Sequence, residues 1–204
     1  EGDNTVLIQL AAKGILTNFK TEFNSDNFMD VLKYVGTQLS DRLTTINPIF
    51  TNKTDKEHLF DTEFHKEAFE YRTRRLTFSV ASRVQKYIKK GIPSYQAFLK
   101  VQTHMVMLGK AYSEELSYNE FLNFVEKIQE EELRFLFKKL GALFALSEIN
   151  DHAAWYLEHG YISANKSKAI RKQVERICSE LRPHVNTLVD GFGIPKSCLK
   201  TPIL

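Results

Sequence analysis

The sequence predicts an all-α fold, an up-down bundle of long helices. Apolar residues recur at three- and four-residue spacing through one segment after another, which lays them along one face of a helix. No segment alternates apolar and polar residues in the two-residue period of a half-buried strand. A helix of about 27 residues is roughly 40 Å long at 1.5 Å per residue, a rod suited to antiparallel packing.

Taken in order, Thr5 to Phe23 carries Val6, Leu7, Leu10, Ala11, Ile15 and Phe19 as the expected inward stripe, with Asn4 as N-cap. The polar run Asn24-Ser25-Asp26-Asn27 ends it, and Phe28 to Ile46 resumes helical spacing through Val31, Leu32, Val35, Leu39 and Leu43. Residues 47–61, opening on Asn47-Pro48, keep no period and are expected to form a loop. Thr62 to Lys90 follows as one helix with Phe69, Leu76, Val80, Val84 and Tyr87 inward, stopped by Gly91 and Pro93. Ser94 to about Glu115 places Phe98, Val101, Met105 and Leu108 inward, and a shorter helix is expected from Tyr118 to Ile128. Residues 130–159 form the next, with Leu133, Leu136, Phe137, Leu140, Phe144 and Trp155 inward and Gly160 as the stop. Ser163 or Asn165 opens the last helix, along which Ile170, Val174, Ile177, Leu181, Val185 and Leu188 recur until Gly191 and Gly193.

Composition narrows the function classes. At 204 residues and 43% hydrophobic, the chain is long enough to build a core without disulfide or metal staples, so Cys178 and Cys198 read as reduced thiols of an intracellular protein. Cys178 falls on the last apolar stripe as a small core residue, and Cys198 lies in the tail. A net charge of +3 does not by itself call for a polyanionic partner, and no nucleic acid is expected. No apolar run reaches the ~20 residues of a membrane span, so no membrane span is expected.

Common catalytic motifs are absent: no phosphate loop, GxGxxG, GxSxG, CxxC or HExxH occurs. A di-iron bundle would need two Glu-x-x-His copies; Glu148, Asp151 and His152 come nearest, with His152 four residues after Glu148 and no second copy, so no metal is expected. His58, His65, His104, His159 and His184 are scattered singly. Arg72, Arg74 and Arg75, and the flank Lys166, Lys168, Arg171, Lys172, Arg176 and Arg182, read as solvated faces salt-bridged to Glu67, Glu70, Glu175 and Glu180, with a phosphate-binding role as the alternative. The sequons at Asn52 and Asn165 are read as chance.

Four segments carry a resemblance. Glu1-Gly2-Asp3-Asn4-Thr5-Val6-Leu7-Ile8-Gln9 resembles the EG[DE]NTV segment of the flavin-dependent acyl-CoA oxidases, relatives of the acyl-CoA dehydrogenases. Residues Ala68 to Leu76, Leu140 to Leu146 and Leu188 to Pro195 resemble further segments of their C-terminal half, in the family's order. The resemblance implies the C-terminal part of the acyl-CoA dehydrogenase/oxidase fold: residues 1–24 as the last helix of the catalytic helical bundle, residues 25–204 as the second C-terminal helical domain. It also implies that the sequence is a fragment, with the upstream domains and any C-terminal peroxisomal signal lying outside it.

By the same resemblance, Glu1 is the catalytic base that takes the α-proton of a fatty acyl-CoA while the β-hydrogen leaves as hydride to FAD. The product is a trans-2-enoyl-CoA, and O2 is reduced to H2O2. The residue types suit the chemistry: a carboxylate buried in an apolar pocket has its pKa raised toward the ~6 to 7 that proton abstraction from a thioester's α-carbon wants. Gly2 lets the backbone pass close to flavin or substrate, and Asp3, Asn4 and Thr5 sit at a helix N-terminus whose amides can receive cofactor oxygens. A homodimer and a peroxisomal location are implied too. The alternatives are an exposed, idle Glu1 and a non-catalytic helical scaffold or dimerisation module derived from an oxidase.

Overall fold

The computed structural model describes residues 4–22, 51–195 and 198, with backbone alone for residues 16–22. Among these, every regular element is helical. Helix α1 spans Asn4–Glu22, α2 Lys56–Leu59, α3 Thr62–Lys89, α4 Ser94–Leu99, α5 Gln102–Val125, α6 Glu131–Asp151, α7 Ala153–Glu158 and α8 Ala164–Leu181. A 3-10 turn at Arg182–His184 leads into α9, Val185–Asp190. The helix expected at residues 28–46 lies outside the described residues.

The axis of the bundle is α3, whose 28 residues extend about 42 Å. Asp61 caps it by accepting the Glu63 N–H at 3.0 Å, and Gly91, at a φ of 78° that only glycine takes readily, ends the run. One half of α3 packs on α1, α4 and α5 through Leu76, Val80, Ala81 and Val84 against Ala12, Ala97, Val101, Met105, Leu108 and Ala111. The other half faces α6, α7 and α8 through Phe64, Ala68 and Tyr71, against Leu146, Ile149, Tyr156, Ile170 and Ile177. Between the two, Phe69, Tyr118, Leu122 and Ala145 close the core.

The element boundaries differ from expectation in five places. Inside the expected loop, Asp55 accepts the His58 N–H at 2.9 Å and nucleates α2, which buries Leu59. The expected helix from Ser94 breaks at Lys100 and Val101, where buried Val101 turns into the core. Conversely, α5 runs unbroken through Tyr118 to Val125, because nothing from Lys110 onward removes an N–H or demands a positive φ. The expected 130–159 helix divides at His152, with a backbone φ of −103° and ψ of 19°. The last helix, opened by Ser163 accepting the Lys166 N–H at 3.2 Å, stops at Leu181 because Pro183 lacks an N–H to continue the ladder.

Several faces also differ: Leu133 and Phe144 of α6 and Val185 of α9, all expected inward, are more than a third exposed. Val6, Leu7 and Leu10 are more than half exposed, while Ile8, Ala12 and Ile15 of α1 turn inward. The helix is apolar on both sides, so its period alone did not select the buried one. On α8, Cys178 is exposed rather than in the core: it follows buried Ile177 by one residue, a rotation of about 100°.

Candidate functional site

Glu1, Gly2 and Asp3 lie outside the described residues; Asn4 and Thr5 open α1 and are exposed. Asn4 is the first helical residue rather than the cap, one position from expectation. From Asn4 onward, the first turn carries no acidic side chain.

What fixes this turn in space is its seat on α5. Gly109 lies so close to Ile8 that a Cβ built there would stand 2.5 Å from Ile8 Cγ2 and 2.6 Å from the Ile8 carbonyl oxygen. One turn along, fully buried Ala12 continues the contact. Small residues bring the two helix backbones together at the point where α1 begins, four residues beyond Asn4.

Two of the histidines, His58 and His65, are satisfied core residues that lie together. His65 is fully buried and donates Nε2–H to the Leu59 carbonyl at 2.8 Å, accepting the Tyr118 hydroxyl at Nδ1 over 2.7 Å. Burial pushes its pKa down to about 4, so the ring is neutral and both roles are settled by the partners. Lys166, also buried, donates from Nζ to His58 Nε2 at 2.9 Å and lies 3.8 Å from the Phe64 ring centroid. Burial lowers the ammonium's pKa to about 8 against the opposing charges of Asp55 and Glu67. This cluster ties α2 and α3 to α5 and α8.

The arginine cluster on α3 splits three ways. Arg74 pairs with Glu70 on its own helix, and Arg75 faces a surface groove. Arg72 is buried and pairs with Glu114 Oε2 on α5. The other oxygen of Glu114 faces His152 Nε2 at 3.7 Å, and Glu148 Oε2 stands 3.9 Å from the same nitrogen. Burial pushes the Glu114 carboxyl up, but the neighbouring His152 and the Arg72 charge together hold it below its usual range. Glu148 is raised, by burial and then by the charge of Glu114. Glu114, Glu148 and His152 could together ligate a cation; Asp151, which the sequence placed with them, is exposed and takes no part.

Sequence reading missed Gly109, which looked like an ordinary mid-helix glycine, and it missed both buried histidines, whose partners lie tens of residues away. The α3 cations beyond Arg75 had a readable signal, since Arg75, Lys86 and Lys90 stand eleven and four residues apart on one face.

The family model described as acyl-CoA oxidase matches residues 61–203. Peroxisomal acyl-coenzyme A oxidase 2 of Arabidopsis thaliana is 30% identical over 203 residues, covering 100% of this chain and 29% of its own length. An acyl-coenzyme A oxidase-like protein of Mus musculus is 24% identical over 203 residues, 99% of this chain and 32% of its own. The crystal structure of acyl-CoA oxidase 1 from Yarrowia lipolytica shares the fold with a TM-score of 0.79 over 96% of this chain and 27% of its own, at 20% identity. The chain thus spans about three tenths of the length of the curated relatives it matches.

Proposed function

Because this chain belongs to the acyl-CoA oxidase family, we propose that the protein carrying it oxidises fatty acyl-CoA to trans-2-enoyl-CoA with reduction of O2 to H2O2. It acts as a homodimer in the peroxisome, the compartment in the name of its Arabidopsis relative. Residues 1–24 close the catalytic helical bundle and residues 25–204 form the second helical domain. The seating of α1 carries this reading. One face, with Ile8 and Ala12, is locked to α5, while Val6, Leu7 and Leu10 leave a second apolar face for a neighbouring bundle.

Glu1 is the base. Its carboxylate takes the α-proton of the thioester substrate; three residues along the sequence, α1 begins, seated on α5 at Gly109. Gly2 keeps the backbone clear of the reacting groups. The backbone N–H groups of Asp3, Asn4 and Thr5 hold phosphate or ribose oxygens of the cofactor, a reading supported by the position of Asn4 and Thr5 at the opening of α1. FAD, when bound, supplies the acceptor for the β-hydrogen as hydride and passes the electron pair to O2. No described helix is long and apolar enough to cross a membrane.

In the full-length protein, Glu1→Gln should cut peroxide formation from palmitoyl-CoA by about 10²- to 10⁴-fold, the span of general-base catalysis, with the flavin absorbance retained. Undiminished turnover would remove Glu1 from the reaction. A colourless wild-type protein that forms no peroxide would favour a scaffold derived from an oxidase.

A further inference from the structure

A groove of about 760 Å³ runs along α3, walled opposite by α5 and α7. Arg75, Arg83, Lys86 and Lys90 line it from α3, spread over about 22 Å of helix. Among the described residues none of these four stands within ion-pair distance of a carboxylate, although Arg72 and Arg74 of the same helix are both paired. Glu158 is the only acidic residue in the lining. His104 adds a wall whose Nδ1 is buried without a hydrogen-bond partner, and Ser79 accepts Arg83 Nε–H at 3.3 Å, leaving its own hydroxyl proton to donate. Like charges along one helix face repel. Four cations against the single carboxylate of Glu158 around a concavity of ligand size leave a net positive site complementary to anions.

We propose that this groove is a binding site for a small molecule carrying phosphate groups at two or more positions. A single phosphate can bridge cations one helical turn apart, as Arg83, Lys86 and Lys90 are, whereas Arg75 stands eight residues, about 12 Å of helix, from Arg83 and needs further negative charge in line. Guanidinium groups take phosphate oxygens two at a time, and the lysines contribute point charges. The modest net charge of the chain and the confinement of the cations to one groove about 22 Å long favour a small ligand over a nucleic-acid strand.

Isothermal titration of the full-length protein with inorganic tripolyphosphate at about 0.1 M salt tests this, and it needs neither flavin nor turnover, so it stands apart from the oxidase assay. One saturable site is expected. Arg83→Gln with Lys86→Gln, both at exposed positions, should weaken it at least about 10-fold, as loss of charge-assisted hydrogen bonds does. Lys168→Gln with Lys172→Gln on the exposed flank of α8 should leave it unchanged. Absence of saturable binding, equal weakening by both double variants, or tighter binding of a short single-stranded oligonucleotide would each overturn the proposal.

Discussion

Gly109→Ala probes how rigidly α1 is held. The added methyl would fall about 0.8 to 0.9 Å short of ordinary contact with both Ile8 Cγ2 and the Ile8 carbonyl oxygen. The Cγ2 contact could be eased by a rotamer change, though a β-branched isoleucine in a helix has few rotamers to offer. The carbonyl is backbone and moves only if α1 moves. Overpacking of this kind costs about 1 to 3 kcal/mol, and the severity of both contacts puts it near the top, offset by about 1 kcal/mol of gained helix propensity. The net loss is about 2 kcal/mol, a fall in Tm of roughly 6 °C for a chain of this size. Gly14→Ala is the control: its Cβ would meet nothing within 4 Å, so only propensity acts and Tm should rise by roughly 3 °C. Since Glu1 precedes the same helix, a shift approaching 1 Å should also lower the oxidase rate of the full-length protein by about 10²-fold. Calorimetry on both variants decides the structural part. A Gly109→Ala protein at least as stable as wild type would refute the close seating of α1, whatever the enzyme assay shows.

Two further outcomes follow from the buried charges. His65 titrates near pH 4 when folded because burial disfavours its charged form, against 6.5 when unfolded. The unfolded chain therefore takes up a proton the folded chain refuses, and stability falls as pH drops from 6.5 toward 4, by up to about 3 kcal/mol. Urea titrations at either end of that window should show a smaller drop for His65→Gln than for wild type; equal drops would count against it. Arg72→Met leaves Glu114 half of its compensation in a largely buried setting and should cost about 3 to 5 kcal/mol in denaturant unfolding. A loss below about 1 kcal/mol would mean that His152 alone suffices.

Much of the architecture was legible in the chain because it rests on local rules. The bounds of α3 follow from a capping aspartate at one end and Gly91-Ile92-Pro93 at the other, and its stripe follows from the 3.6-residue period. The break at Pro183 was readable too, since a missing N–H needs no tertiary context, but the spacing of Leu181, Val185 and Leu188 was read through it as one helix. The breaks at Val101 and His152 were not: neither residue is a breaker, and each turns because its side chain is claimed elsewhere, one by the core and the other by Glu114.

Tertiary structure alone decided which apolar face of α1 is buried, because Val6, Leu7 and Leu10 offer as much hydrophobic surface as Ile8 and Ala12. Steric fit at Gly109, a position about a hundred residues away in sequence, selected between them. It alone paired His58 with Lys166 and His65 with Tyr118, and it separated three adjacent arginines into a buried ion pair, a surface pair and a groove wall. Periodicity and capping act within a few residues and so can be read along the chain. Close packing and charge compensation depend on which distant residues come within a few ångströms, and only the folded arrangement of the helices determines that.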